Sequence, residues 1–134
     1  MSTTSTETIV TGVDFVSVPT QDLARAVAFY GETLGLPCSV HRPERNFAEF
    51  ETGTVTLSVV DPVKMGIGAF QANASHLALH VDDVAAARAR LEERGVEFHG
   101  DVFDTGVCHM AIFADPDGNA LMLHHRYAPR RTQA

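Results

Sequence analysis

Histidine is the residue type in this chain with the widest chemistry, and seven of the 134 residues are histidines. A neutral imidazole can bind a transition metal or accept a proton as a general base. His76 and His80 lie in one run that alternates polar and apolar residues, and Met122 and His124 lie in another. Because the side chains of a strand alternate between two faces, each pair shares a face. With His109 on a neighbouring run, three converging imidazoles could bind zinc or nickel.

A second use of these histidines needs no metal. A neutral imidazole at His76 or His80 could act as a base toward a carbonyl substrate. The acidic pair Asp115 and Asp117 is interpreted as part of a turn, because the proline between them and the glycine that follows both favour one. Cys108 is interpreted as a small buried apolar residue.

The elements that must position these residues occur twice. Residues 13–36 and residues 75–98 each contain an alternating run, an aspartate, an amphipathic run and a glycine. Asp22 and Asp83 are 61 positions apart, and the glycines that close the two segments, Gly35 and Gly95, are 60 apart. Each copy therefore predicts a strand followed by a helix, with aspartate as the N-cap and glycine as the stop.

Three short strands are predicted after each helix, at 37–42, 46–51 and 54–60 in the first copy and at 96–100, 107–114 and 120–126 in the second. Each copy is thus a βαβββ module of an α+β fold, and two such modules form a half-open barrel, or cup, with the helices on its outer face. We expect one domain over residues 10–127, with module one at about 10–60, a connector at 61–74 and module two at about 75–127. Residues 1–9 are expected to be disordered and residues 128–134 to be a tail.

Composition narrows the class of protein. With 45% hydrophobic and 20% charged residues, the chain predicts a single globular domain. Its formal net charge of −7 disfavours nucleic acid and anionic membranes as partners. No signal peptide or membrane-spanning run is visible, and two cysteines do not suggest a disulfide framework. We therefore expect a cytoplasmic protein.

Two motifs resemble the vicinal oxygen chelate superfamily, which includes glyoxalases, bleomycin resistance proteins and extradiol dioxygenases. The first is D-L-x-R-x-x-x-F-Y-x-x-x-L-G at residues 22–35, and the second is FADPDGNALML at residues 113–123. The resemblance covers roughly residues 10–127. It implies paired βαβββ modules, commonly a homodimer, and a ligand or metal site inside the cup.

The resemblance also implies where a metal would be bound. In metal-dependent members, inward-facing His or Glu residues on the first and last strands of each module hold a divalent ion. His76 matches one of these positions, whereas Phe15 and Met122 occupy two others. The fourth position falls on Thr56, Leu57 or Ser58, depending on the alignment. Because an open catalytic site keeps about three protein ligands, no metal cofactor is expected.

The sequence therefore predicts a small-molecule-binding protein of the glyoxalase and bleomycin resistance type, with a degenerate metal site and an amphipathic or aromatic ligand in its cup. The predicted ligand-binding residues are Phe15, Ser17, His76, His80, Met122 and His124, with Met65 and Phe70 in a connector that could fold over the cup. The expected partners are a small molecule and a second copy of the chain.

Two alternatives stay open. One is a lyase or isomerase similar to lactoylglutathione lyase, with displaced ligands that hold Zn, Ni, Mn or Fe. The other is a metal-free enzyme that uses a cup histidine, His76 or His80, as its base, with His76 as the predicted catalytic residue.

Overall fold

The computed structural model describes residues 7–130 and contains two four-stranded sheets. The first sheet has the order β1-β4-β3-β2, and its strands are β1 (Phe15–Pro19), β2 (Cys38–Arg42), β3 (Phe47–Glu51) and β4 (Thr56–Val60). The second has the order β5-β8-β7-β6, and its strands are β5 (Leu77–His80), β6 (Phe98–Asp104), β7 (Cys108–Ala114) and β8 (Ala120–Arg126). The identical order confirms the α+β fold of two βαβββ modules.

The helices lie where the repeat predicts them. Helix α1 (Leu23–Ala28) continues into a π-helical turn (Phe29–Thr33), and helix α3 (Val84–Glu93) occupies the same place in module two. The carboxylate of Asp22 accepts the Arg25 amide at 3.1 Å, and that of Asp83 accepts the Ala86 amide at 2.9 Å. Both predicted N-caps are therefore confirmed.

The predicted connector at 61–74 contains one short helix. A four-residue helix, α2 (Pro62–Met65), begins after Asp61, whose side chain accepts the Lys64 amide at 3.1 Å. A proline at the first helical position and a glycine in the left-handed conformation at its end explain this turn of helix. The end of the connector is tied to module two, since the Asn73 carbonyl accepts the Ala120 amide at 2.8 Å.

A single apolar core is shared by both modules. The helix-facing sides of the two sheets contribute buried residues to it, including Val18, Phe50 and Leu57 from sheet one and Phe113 and Leu121 from sheet two. The opposite side of each sheet, which we call the cup face, carries no helix of residues 7–130. The predicted site residues of β1, β5 and β8 all belong to this cup face by strand alternation.

Two predicted boundaries extend outside the described residues. Of the N-terminal segment, residues 7–9 form neither helix nor strand, and residues 1–6 lie outside the described range. Of the predicted tail, residues 131–134 lie outside it as well.

Candidate functional site

The cup face of sheet one mixes aromatic and hydroxyl groups. In the strand register, Phe15 pairs with Thr56, and Ser17 pairs with Ser58. Ser58 in turn pairs with Glu49 on β3, so a row of two hydroxyls and a carboxylate crosses three strands. The sequence left Ser58 open with Thr56 and Leu57 as a candidate for the fourth metal position, and it did not predict Glu49 as a site residue, because both places depend on a register that one sequence does not reveal.

The cup face of sheet two mixes small, thioether and imidazole groups. Ala78 pairs with Met122, and His80 pairs with His124. His124 also pairs with Met110 on β7, which extends the same row. The strand register therefore brings Met122, His80 and His124 onto one face, as the alternation predicts.

The register selects Ser58 among the three candidates for the fourth metal position that the resemblance implies. Ser17 and Ala78 are equivalent in the repeat, 61 residues apart. Since Ser17 pairs with Ser58 and Ala78 pairs with Met122, the residue equivalent to Met122 in module one is Ser58. The four positions that the resemblance implies thus carry a phenyl ring, a hydroxyl, an imidazole and a thioether.

This donor set does not fit a divalent metal ion. Only the imidazole of His76 is a strong ligand for zinc or iron, and a thioether is too soft for hard or borderline divalent ions. Over residues 7–130, no three His, Cys, Asp or Glu side chains assemble into a group that could hold a metal.

His109 does not join the other imidazoles. It pairs with His125 on β8, whereas Met110 pairs with His124, so His109 and His124 point to opposite faces. The Nε2 atom of His109 lies 3.5 Å from an oxygen of Asp104, and its ring packs 4.9 Å from that of Tyr127. The predicted convergence of His109 with His80 and His124 is therefore wrong.

His80 has neighbours that the sequence did not indicate. Its Nε2 atom lies 3.3 Å from the Asp82 carboxylate, and its ring centroid lies 5.8 Å from that of His125. The ring itself is 68% exposed. His76, which precedes β5, is also exposed.

The free edges of the two sheets are the most open part of the cup face. β1 and β5 each form one edge of their sheet, and Phe15 on β1 is 57% exposed. Ser17 and Ala78 are exposed too, whereas most cup-face residues on the inner strands are half-buried. In one chain, the two edges therefore do not cover each other.

Two predicted residues of the connector occupy different environments. Met65 ends α2 and is 38% exposed, whereas Phe70 is half-buried in the segment before β5. Whether they contribute to the ligand site stays a prediction.

The acidic turn at 115–119 ties the two modules together. One oxygen of the buried Asp115 accepts the Tyr30 hydroxyl at 2.6 Å and the Asn119 side-chain amide at 2.7 Å. Its other oxygen accepts the backbone amides of Asp117 and Asn119, both at 2.9 Å. Burial, followed by the Asp115 charge, raises the pKa of the Tyr30 phenol well above its usual value, so the phenol stays a donor.

Asp117 makes a second set of contacts between the modules. It accepts the Thr20 hydroxyl at 2.6 Å and the Gln21 amide at 2.9 Å, and it pairs with Arg25 at 3.0 Å. The two carboxylates are thus fully engaged in structure, which agrees with their interpretation as part of a turn.

The fold and its two motifs define the class of protein. Residues 12–123 match the model of the Glyoxalase/Bleomycin resistance protein/Dioxygenase superfamily, and the chain belongs to this family. No curated protein matches the chain at a significant level. No helix of residues 7–130 is long and apolar enough to span a membrane.

Several solved structures are similar to this chain in fold. TnmS3, an antibiotic binding protein from Streptomyces sp. CB03234, is 31% identical with a TM-score of 0.74, over 90% of this chain and 99% of that one. A glyoxalase/bleomycin resistance protein from the same organism is 32% identical with a TM-score of 0.68, over 86% of this chain and 100% of that one. Lactoylglutathione lyase from Agrobacterium tumefaciens shares the fold, with 20% identity and a TM-score of 0.75 over 86% of this chain and 93% of that one.

Proposed function

We propose that this protein binds a flat or amphipathic organic molecule in its cup and needs no metal to do so. The observation that carries the proposal is the replacement of metal donors at three of the four family positions by Phe15, Ser58 and Met122. A phenyl ring and a thioether favour an aromatic ligand, because both make dispersion contacts with a ring and neither binds a hard cation.

The similarity to an antibiotic binding protein supports the same proposal. TnmS3 and this chain are 31% identical over nearly their whole lengths. The lactoylglutathione lyase is only 20% identical, so its similarity supports a shared fold but not a shared reaction. We therefore favour a planar aromatic antibiotic as the ligand class.

A second copy of the chain completes the cup in this proposal. Phe15 and Ser17 on β1, and Ala78 and His80 on β5, are exposed at the edges where a barrel would be closed. Exposed apolar residues also continue ahead of β1, where Val13 is 67% exposed. Covering such residues is a common reason for association, so we propose a homodimer in which each cup combines the cup faces of two chains.

A catalytic alternative rests on His76. Its imidazole is exposed and lies in the alternating run of cup-face residues. A general base needs such a position, because it must come within hydrogen-bonding distance of the substrate. In this alternative the substrate is a small carbonyl compound and the reaction is a proton transfer.

Replacing His76 with alanine separates binding from catalysis. With daunorubicin as the planar aromatic probe, we expect wild-type protein to show a raised melting temperature and quenching of the drug's fluorescence. The H76A variant should retain its affinity within about fivefold, since a single accessible contact at a mostly apolar site contributes little.

His41→Ala serves as the matched control, because it removes an exposed imidazole of β2 that has no role in either function. If H76A abolishes turnover of a small carbonyl substrate by wild type while H41A does not, the base alternative replaces the binding proposal.

A further inference from the structure

Glu49 places a half-buried carboxylate on the cup face of sheet one. It belongs to none of the ion pairs within residues 7–130. The strands of sheet one contain a single Arg or Lys, Arg42, which pairs with Phe47, two positions from Glu49, and is exposed. A charge that is partly withdrawn from water without a counter-charge costs free energy. A cation bound in the cup would offset that cost.

The other carboxylate of β3 on this face differs from Glu49. Glu51 accepts hydrogen bonds from the hydroxyls of Ser39 and Thr56. These hydrogen bonds lower the pKa of the Glu51 carboxyl from its ordinary value, because they favour the charged form. The fold itself therefore stabilises the charge of Glu51, whereas no described side chain forms an ion pair with Glu49.

The neighbours of Glu49 suit a ligand that carries both aromatic rings and a positive charge. Its cross-strand partner Ser58 is small and only 4% exposed, so the sheet is low beside the carboxylate. Phe47 lies two residues before Glu49 and shares its face, and Phe15 lies on the same face of β1. Phenyl rings make dispersion contacts with flat molecules and attract cations to their faces.

The position of Glu49 agrees with the proposed dimer. In the sheet order β1-β4-β3-β2, β3 lies two strands away from the β1 edge that a second copy would cover. Glu49 therefore faces the interior of the cup and not the joint between two chains. The formal net charge of −7 also favours the approach of a cationic molecule.

We propose that Glu49 makes the cup selective for aromatic molecules that carry an ammonium group. This inference rests on the proposed binding function, in which the rings of the ligand lie against Phe15 and Met122. The ammonium group then donates a hydrogen bond to the Glu49 carboxylate. Because a hydrogen bond between charged groups is stronger than one between neutral groups, a neutral ligand of the same shape binds less tightly.

Two matched ligands test this selectivity on the full chain. Daunorubicin carries an ammonium group on its sugar, and in its neutral analogue a hydroxyl replaces that group. In fluorescence-quenching titrations at low salt, wild type should bind daunorubicin about tenfold more tightly than the analogue. Glu49→Gln should weaken binding of daunorubicin about tenfold and leave binding of the analogue unchanged. Because Glu49 forms no ion pair within residues 7–130, E49Q should not lower the melting temperature of the protein without ligand.

Glu93→Gln is the matched control, because it removes the same charge from the exposed end of α3 and should change neither affinity. If wild type binds both ligands equally and E49Q changes neither affinity, the inference is overturned while the proposed binding function stands. It is also overturned if E49Q weakens both ligands equally, or if E49Q and E93Q weaken daunorubicin to the same extent. If wild type binds neither ligand, the proposed function fails and the inference fails with it.

Discussion

Replacing Asp115 with alanine is expected to lower the free energy of unfolding by about 4 kcal/mol. The carboxylate is buried, and it accepts hydrogen bonds from the Tyr30 hydroxyl, the Asn119 side chain and two backbone amides. Alanine would leave these buried donors without an acceptor, and an unmade buried hydrogen bond costs more than a made one contributes. Urea unfolding at a fixed protein concentration measures the loss.

Asp101 provides the control for this experiment. It lies on the exposed part of β6, so Asp101→Ala removes a carboxylate of the same size at the surface. The control should change the free energy of unfolding by less than about 0.5 kcal/mol. A loss below about 1 kcal/mol in D115A would mean that water or a shifted turn satisfies the freed donors, and that the turn does not hold the modules together.

Placing a carboxylate at Met122 is expected to weaken binding of a planar aromatic antibiotic at least about a hundredfold. Met122 is half-buried on the cup face of β8 and pairs with Ala78 on the neighbouring strand β5. An aromatic ligand seated there would strip water from the new charge of Met122→Asp, and no cation opposes it in the register. Daunorubicin titration by fluorescence quenching measures the change.

Two further variants separate the position of the charge from its presence. Met122→Leu keeps the volume and apolar character of the side chain, so affinity should stay within about fivefold of wild type. Ala89→Asp places the same charge on the exposed face of α3 and should leave affinity unchanged. Equal losses in M122D and A89D would locate the ligand outside the cup.

The ends of the helices could be predicted from single residues. Asp22 and Asp83 were predicted as N-caps because aspartate accepts free amides at a helix start, and both do so. Gly35 and Gly95 were predicted as stops because glycine tolerates positive φ, and their φ angles are 77° and 89°. These features depend only on neighbours in the chain.

Features that depend on contacts between residues far apart in the sequence could not be predicted. The first helix closes with a π-helical turn, in which the Leu34 amide donates to the Phe29 carbonyl, and Tyr30 in that turn bonds Asp115, which lies 85 residues away. The place of Ser58 on the cup face likewise depends on which strands pair and in what register. Periodicity gives the face of a residue within its own strand but not its partner across the sheet.

The site could be predicted only as far as alternation within a single strand allows. Strand alternation placed Met122 and His124 on one face, and the register agrees. Alternation could not predict that His109 faces the other way, because the offset between β7 and β8 is set by the Asp115 turn.

Titration of the purified protein with daunorubicin, before and after exhaustive treatment with EDTA, is the most direct test of metal-independent binding in the cup. The predicted result is one affinity for both preparations, with no gain when Zn, Ni, Mn or Fe is added back. Loss of binding after EDTA and its recovery with one of these ions would contradict the account, as would metal-dependent turnover of the hemithioacetal of methylglyoxal and glutathione.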